Sequence, residues 1–289
     1  MKPLAILVLL ATSALGTAQI PDIRIKTDIR YSFRFDADRS TGQAWYDSLS
    51  RHSLIGFDLN LEPGLHAFVS ERVQKIPHDG DPDGIDEAFV EDTGDWRLGK
   101  QVLPFGRGLI RESCFAARSD TFLFLQQLPL KVAACDDATG RPRGIIGRIG
   151  SRQVGVNFAE GDNFGVAAET LAIFRKPELT ATPIGYHRLV GADAGWVKGR
   201  TRLDLEYVGL RQPQSSEQQA EDVAQVAISY VPKNRFLVKA AFAQRFSDNV
   251  NMLALEGEIP GNFGASGVGV LRYRQGKFFD ACLELRVRY

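Results

Sequence analysis

The feature that most constrains the fold is the strict alternation of residues 277–289, at the end of the chain. A period of two predicts a β-strand with one apolar and one polar face, which no helix would sort in this way. Such a strand suits a soluble sandwich, or a membrane barrel with aliphatics in lipid, charges in a wet lumen and Tyr289 at the headgroups. The apolar positions are Phe279, Ala281, Leu283, Leu285, Val287 and Tyr289, and the charged ones are Asp280, Glu284, Arg286 and Arg288.

The first residues read as an export signal. Lys2 is followed by an apolar stretch over 4–11 and by the small residues Gly16, Thr17 and Ala18, so we expect a signal peptide over 1–18 and a single mature domain over 19–289. An uncleaved anchor is the alternative, but its apolar stretch is short of the ~20 residues that a spanning helix needs. Lys plus Arg equals Asp plus Glu at 35 each, which gives no indication of a nucleic-acid partner.

The same alternation recurs along the chain. Runs of this kind predict about fourteen antiparallel strands, within a range of about 12 to 16, in an all-β up-and-down transmembrane β-barrel. The expected strands are 23–36, 54–61, one starting at 65, 85–92, 96–105, 148–160, 164–174, 187–197, 201–210, 222–231, 235–246, 250–259, 263–274 and 277–289.

The connections alternate in length, which favours the barrel over a secreted β-sandwich. Short turns are expected at 63–64, 93–95, 161–163, 198–200, 232–234 and 260–262, and longer loops at 37–50, 77–84, after 106, 175–186 and 211–221. Short turns on one rim and longer loops on the other are typical of outer-membrane barrels, whose short rim faces the periplasm.

Alternate residues of a strand point to opposite faces, so the odd or even position of a charged residue (its parity) predicts whether it faces the interior. Because closure makes the last strand a neighbour of the first, the arginines of 23–36, 263–274 and 277–289 should form one wall, with acidic residues on other walls. The alternative is that charges of both signs simply pair across strands to keep a wet lumen folded. The predicted pore-lining residues are Arg24, Lys26, Arg30, Arg34, Arg97, Arg245, Arg272, Arg274, Arg286, Arg288, Glu87, Glu91, Asp204, Glu206 and Glu256.

The alternation fails over 106–146, which we interpret as a constriction-type loop. A short helix is expected at 120–128, capped by Ser119 or Asp120 and stopped by Pro129. Its apolar side chains would be buried by folding into the lumen, or by covering an outer surface or a neighbouring subunit. Cys114 and Cys135 could form a disulfide in this exported loop, or remain two thiols, and Cys282 is expected to be unpaired.

Nothing in the sequence argues for catalysis. The four histidines are scattered, and no Gly-x-Ser-x-Gly elbow or metal-spaced pair is present, so we expect neither an enzyme nor a metal site. A barrel enzyme acting on lipids needs no local motif and is kept as an alternative. The acidic run over 79–83 lacks the spacing of a calcium loop.

Two stretches resemble Gram-negative outer-membrane porins, especially the phosphate-selective-type group. Residues 95–108, DWRLGKQVLPFGRG, are similar to the strand that climbs to the constriction loop, and 152–157, RQVGVN, to the strand that returns from it. The terminal strand with its final aromatic residue is similar to the signal read by the outer-membrane assembly machinery. Together these matches cover less than a quarter of the chain, and phosphate selectivity is not carried over.

The resemblance and the barrel pattern together predict the function. We expect a passive diffusion channel for small polar or ionic solutes in the outer membrane of a Gram-negative-type bacterium, in contact with its lipid and without a cofactor. The resemblance alone implies a homotrimer. A structural or adhesive barrel with a plugged lumen is the further alternative.

Overall fold

The computed structural model describes residues 22–36, 44–47, 53–73, 85–107, 113–123, 127–136, 142–162, 186–211, 220–232, 236–246 and 249–289. All regular secondary structure in these ranges is β-strand. The expected signal peptide over 1–18 and the loop at 77–84 lie outside the described residues. Within them, no helix has the length and apolarity required to cross a membrane.

The strands follow one another along the chain and around the sheet. They are β1 (Asp22–Asp36), β2 (Ala44–Asp47), β3 (Leu54–Glu62), β4 (Leu65–Arg72), β5 (Ile85–Asp92), β6 (Trp96–Val102), β7 (Ser113–Leu123), β8 (Leu128–Asp136), β9 (Pro142–Gly150), β10 (Val154–Asp162), β11 (Tyr186–Lys198), β12 (Thr201–Arg211), β13 (Ala220–Tyr230), β14 (Leu237–Arg245), β15 (Val250–Pro260), β16 (Ala265–Arg274) and β17 (Lys277–Arg288).

The sheet closes on itself through its first and last strands. β1 pairs with β17 along one edge, Ile29 opposite Val287, and with β2 and β3 along the other, so β2 and β3 form one interrupted barrel strand. All neighbouring pairs are antiparallel, and the result is a closed up-and-down barrel of sixteen strands. The predicted fold class is confirmed, and sixteen is the upper end of the expected range.

The apolar parity positions form the outside of the barrel. Side chains with large exposed apolar surface include Ile25, Phe33, Leu98, Ile145, Val156, Val190, Leu205, Phe242, Leu255, Leu271, Leu283 and Leu285. Their neighbours in sequence, such as Asn157 and Glu206, are buried on the inner face. Since apolar residues would not remain in water over a whole cylinder, this outer belt is the surface that meets hydrocarbon.

The expected constriction loop and helix at 106–146 are wrong for most of their length. The described residues between 113 and 150 form three barrel strands, β7, β8 and β9, and residues 120–123 and 128 of the expected helix belong to the end of β7 and the start of β8. β7 and β8 have no counterpart among the expected strands, and the expected strand 148–160 divides into β9 and β10; with the strand expected at 164–174 outside the described residues, these changes account for the rise from about fourteen strands to sixteen. Among the described residues between β6 and β10, the stretch that leaves the wall is 103–107, after the end of β6.

Three further boundaries differ from the expectation. The predicted strand 148–160 is a hairpin, in which β9 and β10 are joined at 151–153, so the turn expected at 161–163 lies inside and beyond β10. β10 pairs directly with β11, and the strand expected at 164–174 lies outside the described residues. Finally, β2 lies within the loop expected at 37–50.

Phe279 also departs from simple parity. The register between β16 and β17 shifts next to Tyr273, so that Tyr273 pairs with Phe278 and Phe279 becomes the extra residue of a bulge. Phe279 is consequently buried, whereas Phe278 is exposed on the outer face. A bulge is the usual device for turning one side chain to the other side of a sheet.

Candidate constriction site

The barrel places nearly all of the predicted pore-lining residues on the inner face. Residues directly opposite each other on paired strands point to the same face, so the pairing register extends the assignment from strand to strand. Arg30 is opposite Arg286, Glu91 is opposite Arg97, and Asp193 is opposite Glu206. For Arg34 the structure gives only its strand position, opposite Cys282. The inward positions are those of Arg24, Lys26, Arg30, Arg97, Arg245, Arg272, Arg274, Arg286, Arg288, Glu87, Glu91, Asp204, Glu206 and Glu256.

The expected arginine wall exists in space, but carboxylates run through it. Arg30 lies 2.7 Å from Asp28, and Arg286 lies 2.9 Å from Glu284. Nearby, the guanidinium of Arg272 makes a two-point ion pair with Asp280, one bond being 2.6 Å from Nε to Oδ1, and both side chains are buried. The wall is therefore not an uncompensated positive surface. We call this set of ion pairs on β1, β16 and β17, at the seam where the first and last strands meet, the arginine ladder.

Acidic inward residues on the neighbouring strands β3 to β5 are likewise paired. Glu91 lies 2.5 Å from the guanidinium of Arg97 and 3.2 Å from Nδ1 of His66, whose other ring nitrogen contacts Asp58. The Arg97 guanidinium also stacks 3.9 Å from the ring centre of Phe89. Charges of both signs thus interleave on these strands, which matches the alternative of paired lumen charges better than segregated walls.

The inward segment, residues 103–107, begins where β6 loses its partners. The amide of Val102 donates to the Glu87 carboxylate at 3.0 Å instead of to a strand. Pro104 then removes a backbone donor, and Gly106 adopts a left-handed φ of 59°, which bends the chain off the wall. Leu103 and Phe105 are almost fully buried, so the segment lies inside the barrel.

Arg107 anchors this segment to the far wall. Its Nε lies 2.9 Å from Asp193 and its NH1 3.2 Å from Asp204, while its NH2 donates to the carbonyls of Arg152 and, at 3.1 Å, Gln153. Because the Asp193 side chain is fully buried, these contacts are shielded from water. Arg107 thereby ties the end of the segment to β11, β12 and the turn at 151–153.

A second layer of contacts supports the same anchor. Arg148 on β9 binds both oxygens of Asp193, at 2.7 and 2.9 Å. Asn157 on β10 donates to Asp193 at 2.9 Å and accepts from the amide of Gly106 at 2.9 Å. Asp193 therefore accepts hydrogen bonds from two guanidinium groups and one side-chain amide. Asn157 links this cluster to the backbone of the inward segment.

Two inward glycines on β11 make room for the segment. A Cβ at Gly191 would lie 2.8 Å from the backbone oxygen of Tyr207 on β12 and 3.1 Å from the Phe105 ring, and one at Gly195 would overlap the guanidinium of Arg107. Any larger residue at these positions would push the segment away from the wall. The inner face of β11 is thus flat where the segment lies on it.

Above this anchor the inner wall from β7 to β15 is mainly apolar, although buried Arg245 lies opposite Val223 and Val250 in it. Small and aliphatic side chains from β7 to β15 form one buried cluster with Leu103 and Phe105 of the inward segment. Several are less than 3% exposed, which shows that atoms cover them inside the ring. The inward-facing members of this apolar tier are Cys114, Ala116, Ala133, Cys135, Ile146, Ala159, Leu189, Val208, Leu210, Val223, Ala243, Val250 and Met252.

The proposed disulfide is not formed. Cys114 and Cys135 are both buried in the apolar tier and are not joined by a disulfide bond. Cys135 is opposite Ala116, two residues from Cys114, so the two cysteines are diagonal neighbours, a placement that typically leaves ~7–8 Å between residues. That exceeds the reach of a disulfide without movement of the backbone. Cys282 also forms no disulfide bond and faces inward, opposite Val270.

Several residues of this site were not predicted. Arg107, Arg148 and Asn157 are absent from the predicted pore-lining set, and the return strand assigned to 152–157 is in fact a turn and the start of β10, since β7 follows the inward segment. The usable signals were the Pro-Phe-Gly-Arg-Gly run after β6 and the inward glycines of β10 and β11. Among the described residues, no group of three or more His, Cys, Asp or Glu could hold a metal ion.

Solved structures similar to this barrel are outer-membrane proteins. OmpT of Vibrio cholerae, in a variant lacking loop L8, has a TM-score of 0.63 at 11% identity, over 94% of this chain and 100% of that one. An anion-selective porin of Comamonas acidovorans has a TM-score of 0.60 at 12% identity, over 93% and 99%. OmpF of Salmonella typhi has 0.61 at 7%, over 93% and 98%.

These likenesses define the class by fold. No family model matches the chain, and no curated protein matches its sequence. The chain is a porin-like transmembrane β-barrel of the outer-membrane type. A closed ring with an apolar outer belt is built to span a bilayer, and the barrels that share its fold are outer-membrane proteins of Gram-negative bacteria, where we place this chain too.

Proposed function

We propose that this barrel is a porin, a passive diffusion channel for small polar or ionic solutes. The observation that carries the proposal is the charged inner face at the periplasmic end, where inward side chains remain open to water. Lys26 and Arg202, for example, expose 56% and 53% of their side chains. Such a wall makes a water-filled vestibule, and solutes would leave it past the inward segment.

The inward segment would act as the constriction. Its anchor at Arg107 fixes how far it projects from the wall of β10 to β12, so this residue would set the width of the passage. Diffusion through such a passage needs no cofactor and no catalytic group, and we propose no enzymatic role. The narrower likeness to phosphate-selective-type porins rests on residues 95–108 and 152–157 alone.

A second function is favoured by the apolar tier. Its covered side chains describe an interior that is partly filled, as in a structural or adhesive barrel with a closed lumen. Under our proposal the filling is partial, and the passage runs beside the inward segment. A homotrimer is the assembly that we propose, because one similar structure, OmpT of Vibrio cholerae, is described as a trimer form.

Planar bilayer recording separates the two functions. The purified, folded protein is added to a bilayer in salt solution, and the current is followed at constant voltage. A porin gives stepwise increases of current with a reproducible unit size, and Arg107→Gln changes that size or its noise. A barrel with a closed lumen inserts, as shown by protection of its strands from protease in vesicles, but gives no steps.

A further inference from the structure

Five ion pairs on the inner face share one asymmetry. In each, the basic side chain is the water-exposed member, at 42–56%, and the carboxylate is recessed, at 12–29%. The pairs are held at distances up to 4.0 Å. They are Lys26 with Asp58, Lys131 with Asp120, Arg202 with Asp204, Lys239 with Glu256, and Arg288 with Glu258.

These five cations all lie near the periplasmic end of the lumen. Each is within the five strand residues nearest the periplasmic end, on β1, β8, β12, β14 and β17. Because the sheet is closed, these strands lie around much of its circumference. We call the five basic residues the cationic ring. Exposed carboxylates also occur at this end, at Asp22 beside Arg24, at Glu62 at the end of β3, and at Asp95 in the turn after β5.

Side-chain length does not explain the asymmetry. Arginines are long everywhere in the barrel, yet the inward Arg30, Arg272 and Arg286 are only 7–20% exposed. Local placement therefore decides which charges reach water. In the cationic ring every pair turns its positive end toward the lumen, although each pair is neutral when seen from a distance.

An ion inside the lumen passes close to these pairs. At such range the nearer charge dominates, because the Coulomb energy falls with distance and the recessed carboxylate is both farther away and screened by its partner. Guanidinium and ammonium groups offer several N–H donors that suit the oxygens of carboxylate, phosphate and sulfate. The exposed chemistry of the mouth is thus that of an anion site.

We propose that the cationic ring selects anions at the periplasmic mouth of the lumen. This inference rests on the proposed channel function and adds to it the charge class of the solute and the residues that choose it. The choice does not lie in the arginine ladder at the seam of β1, β16 and β17, whose guanidinium groups are held by carboxylates.

The test is the reversal potential across a bilayer with a KCl gradient. We expect the natural protein to pass chloride in preference to potassium. In Lys131→Gln/Arg202→Gln the chloride-to-potassium permeability ratio should fall by roughly sevenfold for each charge removed, because a unit charge at ~7 Å in water shifts the energies of chloride and potassium by about one RT each, in opposite directions. Asp120 and Asp204 keep Arg118 and Arg107 as partners in this variant, so the fold is retained.

The matched control removes two exposed arginines from the outer face. Arg188 and Arg211 are 53% and 45% exposed on β11 and β12, and Arg188→Gln/Arg211→Gln should leave the permeability ratio unchanged. The charge-conserving variant Lys131→Arg/Arg202→Lys should keep the natural ratio. If the Gln variant does not fold, the natural protein and this conservative variant still give the sign of the selectivity.

The outcomes distinguish the two proposals. Absence of current from the folded natural protein overturns the channel function and the selectivity that rests on it. A current that prefers potassium, or a ratio equal in the ring variant and the outer-face control, leaves the channel function intact and overturns the cationic ring.

Discussion

Replacing Arg107 by Gln tests whether the inward segment depends on its anchor. The substitution removes one ion pair with Asp193, one with Asp204 and two bonds to backbone carbonyls. Asp193 retains Arg148 and Asn157, so the carboxylate does not become an uncompensated buried charge. The loss therefore falls mainly on the attachment of the segment and not on the fold of the barrel.

The magnitude follows from the contacts. A hydrogen bond to a charged group contributes about 1.5–3 kcal/mol, and Gln can replace part of the backbone contact, so we take about 3 kcal/mol for the net loss. Each 1.4 kcal/mol is tenfold in an equilibrium constant, so detachment of the segment should become about a hundredfold more frequent. The amide of Gly106, which donates to Asn157, reports this opening directly.

Hydrogen exchange of the peptide over 103–107 measures the effect without requiring a current. We expect exchange in Arg107→Gln to be about a hundredfold faster, with protection of β11 and β12 unchanged. Arg202→Gln is the control, because Arg202 also bonds Asp204, at 2.6 Å, but does not contact the segment. Equal exchange at Gly106 in the natural protein and Arg107→Gln would refute the anchoring role.

Two further substitutions probe the packing. Gly191→Val places a side chain against the Phe105 ring and should release the segment, giving the same fast exchange, whereas Gly267→Val, which meets nothing within 4 Å, should not. Arg272→Met takes the guanidinium away from buried Asp280 and should lower the free energy of unfolding by about 3–5 kcal/mol, measured by urea titration in lipid vesicles, while adding Asp280→Leu should restore most of it. Equal losses in the single and double variants would contradict this.

The sequence predicted the barrel wherever the two faces differ in polarity. β1 and β17 alternate cleanly, because their inner faces carry arginine and their outer faces meet lipid. β7, β8 and most of β9 were not predicted as strands, because their inner faces carry Cys114, Ala133 and Ile146, which are buried in the apolar tier. Where an inner wall is covered by the chain itself, it no longer needs to be polar, and the period-two signal disappears.

The candidate site was less predictable than the fold for a related reason. Parity predicts on which side of a strand a charge lies, but not which other charge it meets. Arg107 lies 86 and 97 residues from Asp193 and Asp204 along the chain, and closure of the sixteen-strand ring is what brings them within 3.2 Å. The neutralised arginine ladder at the seam shows the same limit.

The electrostatic character of the lumen therefore depends on how far each charged group reaches from the wall into water, and less on the number of charges. The interior holds similar numbers of acids and bases, and nearly every pair cancels at long range, so a count of inward residues predicts little preference. A solute in the passage meets only the groups that reach water, and at the periplasmic mouth these are mainly ammonium and guanidinium groups above recessed carboxylates. Selectivity in such a barrel is therefore set by the charged groups that reach water and not by the number of charges that line the wall.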